Sequence, residues 1–242
     1  MRNIRIYQSG QYDVGETISL AKNAVKHIAV VLRMMTGNNL TLFAGDNWEY
    51  LSQIININKN KVDVLILKKD KISRESCTAI HLIQTIPKGD KMELIVQKAV
   101  ELGITAITPI TTQHSAYKIS QDRLIKKCNQ LADIAISACE QCGRNQIPII
   151  NLPLTLDAFL QKQYNSEKYV LEPHSGKSWR DYPTTAKDIT LLVGPEGGFS
   201  SNELTKILNK NFAPLKLGKR ILRTETASIA ALSLLQAVWG DL

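Results

Sequence analysis

No run in this chain approaches the ~20 apolar residues that a membrane-spanning helix needs. The opening residues MRNIRIYQSG are basic but lack the apolar stretch of a secretory signal. Cysteine is scarce. Cys77, Cys128, Cys139 and Cys142 are too few and too clustered for a secreted disulfide scaffold. There is no internal repeat or low-complexity segment, no Walker loop and no GxGxxG. The four histidines (His27, His81, His114, His174) are scattered, and none is paired with a serine or cysteine nucleophile in a recognisable pattern. Trp48, Trp179 and Trp239 read as packing residues. Cys139 and Cys142 form a CxxC, but at the C-terminal end of an expected helix, where the dipole disfavours a thiolate. They also have no second ligand pair for zinc. These absences leave a soluble protein of a reducing, cytoplasmic compartment, with no membrane association and no metal.

What is present is enough apolar material for a core. Of the 242 residues, 44% are hydrophobic and 21% charged. Lys and Arg number 30 against 22 Asp and Glu, a net charge of +8, which is compatible with a polyanionic partner. Residues 1–72 and 73–242 each carry +4, so the front segment is more than twice as basic per residue. A solvated face explains such charge. The functional alternative is a phosphate-contacting module in which Arg2, Arg5, Lys22, Lys26 and Arg33 position a nucleic acid without reading its sequence.

The pattern predicts two domains, 1–72 and 73–242, joined at the polar stretch KKDKISRES. The front reads as short strands (IRIYQ, TLFAG, EYLSQIININ, KVDVLILKK) with one helix over 22–34, forming an antiparallel sheet or small barrel. From Ile80 the pattern becomes α/β. Apolar strands at 80–86, 104–110, 147–152, 168–173, 189–194 and 213–218 alternate with helices. These helices are DKMELIVQKAVELG, a longer one over 120–142, SSNELTKILNK with a Ser200/Glu203 capping box, and TETASIAALSLLQAVW. In the long helix Leu124, Cys128, Leu131, Ala135, Ala138 and Cys142 share a face. Such alternation implies a mostly parallel sheet covered on both faces.

Two strand-end loops carry the chemistry. In LLVGPEGGFSSNEL a buried strand ends at Val193, and Gly194, Pro195, Gly197 and Gly198 make a sharp loop before a capped helix. In parallel sheets ligands bind beyond the carboxyl ends of strands, and glycines let them approach the backbone. Glu196 would repel phosphate but accept from a ribose or an amine. An ordinary strand-to-helix turn is the alternative. In LKLGKRILRTETASIAAL, four cations (Lys216, Lys219, Arg220, Arg223) surround apolar Ile221 and Leu222, and Thr224 is a candidate N-cap. Apolar side chains with glycine and backbone amides suit an adenine or thioether pocket. If the two strands are neighbours, both loops face one cavity. In ISACEQCGRNQIP, the polar groups Glu140, Gln141 and Arg144 end a helix and can reach into a cleft.

Taken together, GPEGGFS (194–200), LGKRILRTETA (217–227) and EQCGR (140–144) resemble the RsmE-type 16S ribosomal RNA uridine-N3 methyltransferases of the SPOUT (trefoil-knot) superfamily. KHIAVVLRM, QKAVELGI and LEP fall in the same order, so the likeness spans nearly the whole chain. It implies an N-terminal PUA-like β-barrel for RNA, a C-terminal α/β domain with a deep knot, and a homodimer that uses S-adenosylmethionine on 16S rRNA of the small subunit. Carried over by motif, the cofactor residues are Leu171, Glu172, Pro173, Gly194, Pro195, Glu196, Gly197, Gly198, Leu217, Gly218, Ile221, Leu222, Arg223, Thr226 and Ala227. Arg223 or Arg144 is the expected cation near developing charge, and Glu140 the expected base or base-positioning group. Here Cys142 replaces the family's usual serine, and Gln113 and His114 replace its usual Glu-Arg pair. The competing readings are a non-catalytic RNA-binding assembly factor and a SPOUT methyltransferase acting on tRNA.

Overall fold

The computed structural model describes residues 4–115, 121–182 and 186–242. Arg2 lies outside them, as does the side chain of Leu124. The chain forms two compact units. One comprises Met1–Glu75 with Cys139–Ile147, the other Ser76–Ala138 with Pro148–Leu242. The division in the chain thus falls three residues beyond the expected 72/73 boundary, and the first unit takes in a segment from the middle of the sequence.

The front unit is built on β1 (Arg5–Tyr7), β2 (Thr17–Ser19), α1 (Lys22–Lys26), β3 (Asn39–Phe43), β4 (Trp48–Ile57) and β5 (Val62–Lys71). Its sheet runs β1-β3-β4-β5-β2. Pairing is antiparallel except that β1 lies parallel to β3, so the sheet is mixed and not wholly antiparallel as expected. Alternating residues Leu40, Leu42, Tyr50, Ile54, Val62, Val64 and Ile66 fill its core, with Val25 and Ile28 from the helical segment. That segment is not one helix over 22–34. After Lys26 it widens to a π-turn over His27–Val31, in which Leu32 N–H donates to the His27 carbonyl at 2.9 Å. Arg33 then turns into the left-handed region, with φ of 51°. The widening tucks Ile28 inward and leaves Val30 and Val31 exposed.

The back unit contains β6 (Ala79–Thr85), α2 (Lys91–Glu101), β7 (Ala106–Thr111), α3 (Gln121–Cys142), β8 (Ile149–Ile150), β9 (Leu154–Thr155), α4 (Leu156–Leu160), β10 (Glu167–Leu171), β11 (Lys177–Ser178), β12 (Asp188–Val193), α5 (Ser201–Leu208), β13 (Ala213–Lys216) and α6 (Thr224–Trp239). The last four residues of α3 belong to the front unit. Every strand pair of the back sheet is parallel, in the order β11-β13-β10-β12-β6-β7-β8, with β9 also on β7. The central strands are buried nearly end to end, as a doubly covered parallel sheet requires. Ile83, Val170 and Leu192 pack on one face against Phe159, Ile207 and Phe212 of α4, α5 and the turn after α5. On β10, Tyr169 stacks on Trp239 of α6, with ring centroids 5.6 Å apart. The capping box of α5 is present as expected, with Ser200 and Glu203 satisfying each other's backbone N–H groups. No helix among the described residues is long and apolar enough to cross a membrane.

Candidate functional site

The strand order decides which loops meet. β12 and β13 are not neighbours, because β10 lies between them. Since all three are parallel, the loops after β10, β12 and β13 leave the same edge. Between them lies a cavity of about 320 Å³, within the range of small-molecule sites. Of the expected cofactor residues, Leu171, Glu172, Pro173, Gly194, Pro195, Glu196, Gly197, Gly198, Leu217, Gly218, Ile221, Leu222 and Ala227 line it. Arg223 and Thr226 do not; Arg223 is the exposed N-cap of α6. Sequence reasoning missed His174, Val193, Phe199, Leu215, Arg220 and Thr224.

The loop after β12 is shaped by its glycines. A Cβ on Gly194 would fall 2.9 Å from the Phe199 ring. Gly198, at φ 70°, closes a turn by donating its N–H to the Pro195 carbonyl at 2.9 Å. Thr224 is not the N-cap expected of it. It is the first residue of α6, and its hydroxyl donates to the Gly194 carbonyl at 2.9 Å, tying the second loop to the first. The loop after β10 is tied to β13 by Glu172 N–H, which donates to the Leu215 carbonyl. Glu172 Oε1 also accepts from His174 N–H at 2.8 Å.

Glu196 does not stand free for a ligand. Its Oε1 accepts from Lys88 N–H at 3.3 Å and pairs with Lys91 Nζ at 3.5 Å. Burial alone would raise this carboxyl. Backbone N–H groups and Lys91 outweigh that and hold it below its ordinary value. Lys91 also pairs with Glu225 at 3.3 Å, so one ammonium links the loop after β12 to the first turn of α6. The segment that departs from the family's Glu-Arg pair meets the same loop. His114 Nδ1 lies 3.1 Å from the Gly198 carbonyl, and Gln113 N–H donates to Glu203 at 2.7 Å.

Glu140 and Arg144 belong to the front unit. The Arg144 guanidinium pairs with Glu75 and its side chain is 6% exposed, so its charge is already neutralised. Glu140 Oε1 accepts from Tyr7 N–H at 3.0 Å, and burial raises its carboxyl. Arg5, expected to meet phosphate, is also turned inward. It bonds Glu49 and Asn145 at 2.5 Å each, with its side chain 8% exposed. In this unit each of the three polar groups is held by a partner of the same unit. Lys22, Lys26 and Arg33 are exposed. Cys139 is buried, its thiol pushed up to about 12, which removes the thiolate a redox CxxC needs. No cluster of metal-ligating side chains occurs among the described residues.

The chain matches the RNA methyltransferase domain family over residues 74–236 and the RNA methyltransferase PUA domain family over 20–67. It is 40% identical to the ribosomal RNA small subunit methyltransferase E of Buchnera aphidicola (strain Sg), covering 98% of this chain and 97% of the relative. The Bacillus subtilis protein of the same name is 32% identical, over 92% of this chain and 91% of its own. A Neisseria gonorrhoeae structure of that enzyme bound to S-adenosyl methionine superposes with a TM-score of 0.93 at 35% identity, covering 100% of both chains. A Legionella pneumophila structure in complex with the cofactor SAM gives a TM-score of 0.97 at 48% identity, again over 100% of both.

Proposed function

Because the chain belongs to the ribosomal RNA small subunit methyltransferase E family, we propose that it is an S-adenosylmethionine-dependent methyltransferase acting on N3 of a uridine in 16S rRNA. The observation that carries this reading is the cavity enclosed by the loops after β10, β12 and β13. Its walls suit the donor. Leu217, Ile221 and Leu222 give apolar surface for an adenine and a thioether. The glycines at 194, 197 and 198 let a ligand lie against the backbone. The carboxylate for the ribose hydroxyls is Glu172, since Glu196 is engaged by Lys88 and Lys91.

When bound, the donor supplies an activated methyl group on a sulfonium. The chain's own tasks are alignment and charge stabilisation. Uridine N3 loses its proton, and negative charge spreads onto O2 and O4. Of the cations first considered, Arg223 is the one this reading keeps, as the exposed residue that opens α6. Glu140 and Arg144 are assigned to holding the front unit together. N3 lies on the pairing edge, so the target base must be unpaired or flipped out. The front unit serves as the PUA-like barrel, with Lys22, Lys26 and Arg33 as phosphate contacts. The back unit carries the trefoil knot, and the enzyme works as a cytoplasmic homodimer.

The test has two arms. Calorimetry should show S-adenosylmethionine binding to the purified protein. Mapping of 16S rRNA from a deletion strain should show one uridine losing its N3 methyl and regaining it on complementation. Binding without the lost modification would leave an RNA-binding or tRNA-directed role.

A further inference from the structure

The cavity rests on a run of buried neutral polar groups. Gln84 and Ser228 are wholly buried and Thr224 nearly so. Gln84 stands on β6, and its Nε2 lies 3.0 Å from the Thr85 carbonyl and 3.1 Å from Thr224 Oγ1. A backbone carbonyl only accepts. The amide nitrogen, and not its oxygen, must therefore face Thr85, because the flipped amide would set two acceptors against each other. Gln84 Oε1 is then left to the Ser228 hydroxyl, which donates to it at 2.6 Å.

The proton order follows. Nε2 donates to Thr224 Oγ1, so the one hydroxyl proton of Thr224 must point away. The acceptor waiting there is the Gly194 carbonyl at 2.9 Å. Each donor in the series also polarises the next and strengthens its bond.

We infer that Gln84 is a positioning residue: acting through Thr224, it holds the Gly194 carbonyl and keeps the 194–198 loop in its ligand-ready shape. This rests on the S-adenosylmethionine reading given above. Both Thr224 and Gly194 line the cavity, whereas Gln84 does not. Without the amide, the Thr224 hydroxyl loses its donor and the fixed direction of its proton. The loop then spends less time in the competent shape, and apparent affinity falls by that fraction.

The experiment is calorimetric titration with S-adenosylmethionine of the wild type, Gln84→Met, Thr224→Val, Thr224→Ser and the Gln84→Met/Thr224→Val double variant. Donor-free thermal melts record that each is folded. Gln84→Met should weaken binding about tenfold, the size expected for one buried polar contact left unmade. Thr224→Val should do the same, and Thr224→Ser, which keeps the hydroxyl, should bind more tightly than Thr224→Val. The double variant should bind no more weakly than Thr224→Val, since both changes remove one link. Should Gln84→Met not fold, Gln84→Leu takes its place: a loss of affinity that Thr224→Val does not deepen supports the inference, and unchanged binding overturns it. Unchanged binding by Gln84→Met, or losses that multiply in the double variant, would overturn the inference alone. No binding by the wild type would overturn the donor reading, and this with it.

Discussion

The two units hold their irregular segments by opposite means. In the front unit the fastening is ionic. Glu49 Oε1 takes Arg5, Arg74 and Asn145, and Arg144 pairs with Glu75. In the back unit the buried fastening of the ligand loops is the neutral series Gln84, Ser228, Thr224 and Gly194, with only the partly exposed Lys91 ion pairs beside it. Ionic fastening is strong but depends on protonation state, and it leaves an uncompensated charge when one partner goes. Neutral fastening is weaker per contact and indifferent to pH and salt. A surface meant to keep its shape across conditions while a charged ligand comes and goes is better served by the second.

The contrast can be broken experimentally. Glu49→Gln should have the largest effect. It leaves Arg5, with its side chain 8% exposed, without its counter-charge, and should cost about 3 to 4 kcal/mol in denaturant unfolding. Burial alone would raise the Glu49 carboxyl, but the bonds from Arg74, Arg5 and Asn145 outweigh it and hold it below its ordinary value. That stability is therefore present above the ordinary glutamate value and is lost as pH falls below it, through the lowered value of the folded state.

The back unit is acid-sensitive at His81. His81, 2.7 Å from Thr108 Oγ1, is lowered to about 4 by burial and by the charge of Lys162. Below its ordinary value of 6.5 the unfolded chain takes up a proton that the folded chain refuses. Stability should thus fall by about 3 kcal/mol from pH 7 to pH 4 and level off below that. His81→Asn should flatten that slope in melts across the range. Ser228→Ala, which leaves Gln84 Oε1 unpaired, should cost about 1 kcal/mol equally at all pH values and salt concentrations. Lys91→Met, at the partly exposed ion pairs with Glu196 and Glu225, should cost only about 0.5 kcal/mol, and that difference should shrink in high salt.

Much of this was legible in the sequence. Long apolar runs such as ITLLVG and a capping box such as Ser200/Glu203 are local signals, and they marked the main back strands and α5. The strands β2, β9 and β11, only two or three residues each, carry no periodicity to read. The π-turn at His27 was also hidden, because the apolar spacing of a helix holds until the backbone widens. Pairing order is not a local property, so the place of β10 between β12 and β13 could not be read, and the third wall, Leu171–Pro173, was expected only from the family resemblance. The two motif loops were visible because glycine and cation clusters stand out. Gln84 gave a fainter sign, one amide inside the apolar run IHLIQTI. The partners of Glu140, Arg144 and Arg5 could not be read, because a charged group in sequence looks available and only the fold shows what it pairs with.

The bond between Gln84 and Thr224 spans 140 residues. A nascent chain can have completed β6 long before α6 leaves the ribosome, so the binding-competent protein cannot arise before α6 has been made. Contacts of such sequence separation are closed late and slowly. Any truncation that removes the last helix should yield a product blind to the methyl donor, however well its other strands assemble.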